Sequence, residues 1–158
     1  MEFNSWVEVD GAFSCLSKAA ACGGIIKGIH GNILEGFQLK LESRDALTAE
    51  LWACIMGLKR VWDKSYRNIL LRSDSQEALN LLHNKPPDLR EDYMLIKEVQ
   101  EMIKRDWRVE LRYIQREQNT LADILAKRAL EGSTGLLLLH PDSHESGLLS
   151  QGTEFYFI

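Results

Sequence analysis

Apolar and polar positions alternate at the start of the chain. In Trp6-Val7-Glu8-Val9-Asp10, Val7 and Val9 share one face while Trp6, Glu8 and Asp10 share the other, which predicts a strand from about Asn4 to Phe13. A second β-rich run covers Ala20 to Lys27 and a third covers Ile33 to Leu41. The glycines of Gly28-Ile29-His30-Gly31-Asn32 mark a hairpin between them. The period then changes. Leu47, Leu51, Cys54, Ile55, Leu58, Val61 and Trp62 recur at three- and four-residue steps, the stripe of an amphipathic helix from about Ala46 to Asp63. Asn68 to Arg72 is a short strand, and Ser73-Asp74-Ser75-Gln76 resembles a capped helix start leading to Ala78, Leu79 and Leu82. A third helix is expected from about Asp92 to Asp106, a strand from Arg108 to Ile114, and a last helix from about Thr120 to Leu130.

The order βββαβααβα implies an α/β fold with a five-stranded mixed sheet: three antiparallel strands, then parallel strands separated by helices. Residues 1–131 read as one domain and 132–158 as a tail, loosely docked or mobile, with Leu136 to Leu139 its apolar segment. In an open α/β sheet, ligands gather beyond the carboxyl ends of parallel strands. Four acids fall at particular places in this layout, and one of them, Asp74, sits at such an end. Asp10 is in the first strand, Glu50 in the first turn of the first helix, Asp74 where the fourth strand meets a helix, and Asp123 at the start of the last helix. Carboxylates crowded together repel unless cations intervene, and Mg²⁺ takes such oxygen ligands while leaving room for water and phosphate. Singly, each acid has an ordinary explanation: Asp10-Gly11 as a turn, Glu50 as a complement to the helix dipole, Asp74 as a cap, and Asp123 as a partner of Lys127. Order and spacing alone leave both the ordinary and the metal readings open.

Those acids sit within four blocks: Val9-Asp10-Gly11-Ala12, Thr48-Ala49-Glu50-Leu51-Trp52-Ala53, Ser73-Asp74-Ser75-Gln76-Glu77-Ala78-Leu79, and Arg116 to Ala126. Together and in this order they resemble the type 1 ribonuclease H domain, in the variant found in plant non-LTR retroelement polyproteins and stand-alone plant proteins. The resemblance covers roughly residues 5–130. It implies an RNase H-like fold and endonucleolytic hydrolysis of the RNA strand of RNA–DNA hybrids. It also implies two Mg²⁺ ions (Mn²⁺ as a substitute) held by Asp10, Glu50, Asp74 and Asp123, acting as a two-metal pair. Gly11, Gln76, Asn119 and Arg116 are then candidate nucleic-acid contacts.

Three departures from the family stand out. Tyr113 occupies the position of a family histidine, and a phenol does not exchange protons near neutral pH as an imidazole does. Ala46 and Leu47 replace an asparagine pair that reads the minor groove in other branches. A basic handle is reduced to Asn84-Lys85-Pro86-Pro87-Asp88-Leu89-Arg90. These departures motivate an alternative, a catalytically weak or inactive module of retroelement origin that binds nucleic acid or protein.

Composition changes the picture only slightly. The 158 residues are 45% hydrophobic and 27% charged, as in an ordinary soluble domain. Nineteen basic and twenty-three acidic residues give −4, no obvious footprint of a polyanion binder. However, residues 131–158 hold four acids and no Lys or Arg, so residues 1–130 balance, and setting aside the four site acids leaves them at +4. Three cysteines without a CxxC pair, and no basic-then-apolar leader, fit a reducing compartment, nuclear or cytoplasmic and not secreted. No membrane partner and no small-molecule cofactor are expected, and the chain is expected to be a monomer.

Overall fold

The computed structural model describes residues 2–42, 45–84, 90–132, 134–141 and 156–157. The first three strands are β1 (Ser5–Phe13), β2 (Ala20–Gly28) and β3 (Ile33–Leu41), paired antiparallel in a meander. The β2–β3 turn closes through Gly31, whose φ of +79° is open to glycine without strain. Helix α1 (Ala46–Asp63) begins where Asp45 accepts a hydrogen bond from the Thr48 amide at 2.8 Å. Strand β4 (Asn68–Ser73) returns parallel to β1. Helices α2 (Gln76–His83) and α3 (Tyr93–Ile103) lead to β5 (Arg108–Tyr113), which is parallel to β4. A 3₁₀ turn (Arg116–Gln118) then introduces α4 (Thr120–Glu131).

The sheet is larger than the five strands expected. Residues Gly135–His140 form β6, antiparallel to β3, and Tyr156–Phe157 form a short β7 beside it. The spatial order of the seven-stranded sheet is β5-β4-β1-β2-β3-β6-β7. The run Leu136 to Leu139 has no readable period because all four residues are leucine, although Leu136 is 40% exposed and only Leu139 is fully buried. Residues 142–155, most of the remaining tail, lie outside the described residues.

Alternation in β1 and β2 divides the core. Val7, Val9 and Ile26 face α1, packing with Leu51, Ile55, Leu58, Ile69, Leu71 and the apolar sides of α2 and α3. Ile25 faces the opposite way and is buried with Leu125 of α4 and Leu139 of β6. Helices α1, α2 and α3 therefore cover one face, and α4 covers part of the other. The tryptophans behave as packing groups. Trp107 meets Trp62 edge-on at 4.9 Å, and the Arg67 guanidinium lies 3.7 Å from the Trp62 ring centre.

Buried charge is neutralised locally. Glu8 is held by Lys27 at 3.2 Å and Arg72 at 2.8 Å. Glu35, only 1% exposed, accepts two hydrogen bonds from Arg60 at 2.7 and 2.8 Å, and Lys64 lies at 3.4 Å. The fork geometry ties β3 to the C-terminal end of α1.

Candidate active site

Asp10 is the sixth residue of β1, and alternation turns it away from α1 toward the α4 side, opposite Gly23 of β2. It is 5% exposed. Two glycines make the surrounding approach possible. A Cβ on Gly11 would lie 2.5 Å from the backbone of Ala49 and Glu50, so only hydrogen lets the first turns of α1 close on β1. A Cβ on Gly23 would lie 2.6 Å from the Ala126 amide, and the same logic seats α4.

Glu50 is the fifth residue of α1, one turn deeper than its expected first-turn place, so the helix dipole does not explain it. Its carboxylate accepts a hydrogen bond from the Gly11 amide, which ties the helix to the strand beside Asp10. Asp74 follows β4 directly. The cap of α2 is Ser75, whose Oγ accepts from the Ala78 amide at 3.2 Å, rather than Asp74 or Ser73. The Asp74 carboxylate is thus free of the capping duty that would have explained it, and its Oδ2 is buried without a hydrogen-bond partner.

Carboxylate oxygens of Asp10, Glu50 and Asp74 all lie within 4.8 Å of one another. Asp123, in the first turn of α4, lines the same crevice as Asp10 and Glu50. The fold therefore brings three of the expected acids into one mutual group and places the fourth on the wall of the adjoining crevice. Burial first, then the charges of Glu50 and Asp74, push the Asp10 carboxyl far above the usual carboxylate range. Burial also raises Glu50, against the lowering effect of the Gly11 amide. A bound divalent ion would reverse this balance, since it rewards the charged form of every ligand. The orphaned Asp74 oxygen and the crowded oxygen donors fit a hard divalent cation.

The adjoining crevice, of about 270 Å³, is lined by Asp10, Gly11, Glu50, Arg116, Asp123 and Lys127 among others. Arg116 is exposed at its mouth, and its charge acts on Glu50. Lys127 pairs with Asp123 at 3.0 Å, so the ordinary partner of that acid is realised together with its place on the crevice wall. Gln76 is exposed at the start of α2. Tyr113 ends β5 opposite Ser73 and is 48% exposed, beside the strand end that carries Asp74.

Asn119 is 0% exposed; its Nδ2 donates to the Val9 carbonyl at 2.8 Å, and its Oδ1 is buried without a hydrogen-bond partner. It holds the start of α4, and hence Asp123, against the strand that carries Asp10. Residue type alone could not separate this anchoring from contact with a ligand, because an Asn before a helix suits both. Of the shortened basic handle at residues 84–90, residues 85–89 lie outside the described residues.

Residues 8–129 match the family described as reverse transcriptase-like. The chain is 32% identical over 152 residues to an Arabidopsis thaliana protein named "Putative ribonuclease H protein", an alignment covering 94% of this chain and 24% of that protein. It thus spans about a quarter of that relative's length. The RNase H1 of the archaeon Halobacterium salinarum superimposes with a TM-score of 0.69 at 26% identity, covering 82% of this chain and 98% of that one. LC11-RNase H1, solved in complex with an RNA/DNA hybrid, superimposes with a TM-score of 0.68 at 21% identity, covering 80% and 96%. With the family matched across the whole sheet-and-helix unit that builds the acidic cluster, this chain belongs to the reverse transcriptase-like family, as a plant-type ribonuclease H-like domain.

Proposed function

We propose that the domain is a ribonuclease H-type endonuclease that hydrolyses the RNA strand of RNA–DNA hybrids. The observation that carries this reading is the gathering of Asp10, Glu50 and Asp74 oxygens within 4.8 Å, with Asp123 on the wall of the same crevice. Burying like charges opposes folding, and a merely structural domain gains nothing from it. That argument weighs against the inactive module.

Asp10, Glu50, Asp74 and Asp123 would hold two divalent ions, Mg²⁺ in the proposed setting and Mn²⁺ as a substitute. When bound, such ions supply Lewis acidity, making a nucleophile from water near neutral pH and offsetting charge on the leaving 3′ oxygen. The chain's own residues do the positioning. Gly11 donates its amide to Glu50 and fixes that carboxylate beside Asp10. Asn119 anchors the α4 start, which carries Asp123. Arg116 stands exposed at the crevice mouth, where a guanidinium suits a backbone phosphate in two-pronged fashion. Gln76, at the start of α2 next to Asp74, offers an amide to a sugar hydroxyl or base edge. Tyr113 can donate its hydroxyl to a phosphate oxygen near Asp74.

The test is cleavage of an end-labelled hybrid by the 158-residue chain, with double-stranded and single-stranded RNA as comparisons. Hybrid cut in the RNA strand only, dependent on Mg²⁺ or Mn²⁺ and lost in Asp10→Asn and Asp74→Asn, is the expected result. Hybrid left intact with both ions refutes the proposal.

A further inference from the structure

The four acids are not equivalent. Asp10, Glu50 and Asp74 form one mutual group of oxygens within 4.8 Å, and no basic side chain is paired with any of them among the described residues. Asp123 is different. Its Oδ2 is paired with the Lys127 Nζ at 3.0 Å, one helical turn on, while Asp123 lines the same crevice as Asp10. Lys127 is itself a wall of the crevice. The Lys127 side chain is 67% exposed and that of Asp123 26%, so the ammonium reaches the site from solvent and is free to swing away. A cation carried by the chain is therefore already paired with one oxygen of a carboxylate that would hold a divalent ion.

We propose that Lys127 is a tethered competitor for the second cation position, the one completed by Asp123, and sets its affinity below that of the position built on Asp10, Glu50 and Asp74. The inference rests on the metal reading of the cluster given above. Its physical basis is simple. A monovalent ammonium held by the helix at a carboxylate must be displaced by an incoming divalent ion, and repels that ion while it remains near. The effect is modest because the pair is exposed and solvent-screened. It should also weaken as salt rises, since exposed charges are screened over roughly 8–10 Å at ordinary ionic strength. The position of Lys127 four residues after Asp123 keeps the competitor tethered within one helical turn, as a mobile ion from solvent is not.

The experiment is calorimetric titration of the full chain with Mn²⁺ alone, without nucleic acid, for the natural protein and for Lys127→Met, Lys127→Arg and Asp123→Asn. Thermal melts run alongside. The natural protein should show a tighter and a weaker event, with Asp123→Asn abolishing the weaker one. Lys127→Met should tighten the weaker event on the order of fivefold and leave the tighter one within about twofold. Lys127→Arg should keep the weaker event weak, because it restores a tethered positive charge. Melting temperatures without Mn²⁺ should agree within about 2 °C, as befits an exposed pair. Two events that Lys127→Met leaves unmoved overturn the role of Lys127 alone. No Mn²⁺ event in any of the folded proteins overturns the metal reading and this inference with it.

Discussion

Gly11→Ala joins the architecture to the cluster in a single methyl group. The new Cβ would sit 2.5 Å from the Ala49 carbonyl carbon and the Glu50 amide nitrogen, and 2.8 Å from the Ala49 oxygen. All three are backbone atoms of α1, so no flexible side chain can turn aside. An ordinary contact needs more than about 3.4 Å, so helix and strand must separate by close to an ångström. Overpacking typically costs about 1–3 kcal/mol, and a clash with rigid backbone belongs at the upper end. For a domain of this size, about 3 kcal/mol lowers the melting temperature by roughly 6–12 °C. The same separation pulls the Glu50 carboxylate from the Gly11 amide and from Asp10, so Mn²⁺ affinity and hybrid cleavage fall even where the variant is fully folded. Gly132→Ala is the control. Its nearest neighbour would be 3.5 Å away and its backbone is extended, so the substitution is neutral or slightly stabilising. Melting scans, Mn²⁺ calorimetry and a cleavage assay on the three proteins decide the matter. A Gly11→Ala protein melting within 2 °C of the natural one with unchanged Mn²⁺ binding refutes the close-approach argument.

Three more outcomes follow from the same geometry. Glu35→Gln should destabilise by about 2–3 kcal/mol in urea unfolding, below the full cost of breaking a buried pair because Arg60 is partly solvated. Burial alone would raise the Glu35 pKa, but the Arg60 hydrogen bonds and the Arg60 and Lys64 charges hold it below 4.5, so the network's stability is present above that pH and drains as pH falls through the folded value. The variant should lose that acid-side dependence, and an unchanged slope between pH 5 and pH 3 would sink the assignment. Asn119→Ala should cost about 1–3 kcal/mol, leaving the Val9 carbonyl buried and unpaired, and should depress cleavage more than hybrid binding; a larger loss of binding would instead make Asn119 a direct contact. Asp10→Asn should raise cation-free stability by about 0.5–2 kcal/mol, by relieving the crowding with Glu50 and Asp74, while removing most of the stabilisation Mn²⁺ gives the natural protein; a destabilised variant in the absence of cation would contradict the repulsion argument.

Much of this architecture was legible because its periods are clean. The α1 stripe from Leu47 to Trp62 and the Val7/Val9 alternation define their elements almost to the residue. The four acids were legible as a set because the four blocks that carry them resemble one family's motifs in order; only Asp74 lies at a junction between a strand and a helix. What stayed hidden depends on atoms rather than periods. Serine capping is ambiguous between Ser73 and Ser75 until the backbone angle of each is known, and the choice decides whether Asp74 is free. Asn119 carries the same chemistry whether it faces a ligand or a carbonyl. Glu35 gives no sign in sequence of its union with Arg60, twenty-five residues on, because their contact is a product of the β3–α1 packing. Strand β6 was missed because four consecutive leucines have no period to read.

That added strand changes where this unit can be trimmed. The natural cut after α4 would strip the hydrogen-bonding partner from Gly36 through Lys40 and remove Leu139 from its place between Ile25 and Leu125. The other border of the sheet, β5, defends itself with alternating Arg108, Glu110 and Arg112. The bared border at β3 would instead present Phe37 and Leu39 on an open backbone. A shortened protein would therefore self-associate by edge-to-edge pairing, and solubility, before catalysis, is the first property it would forfeit.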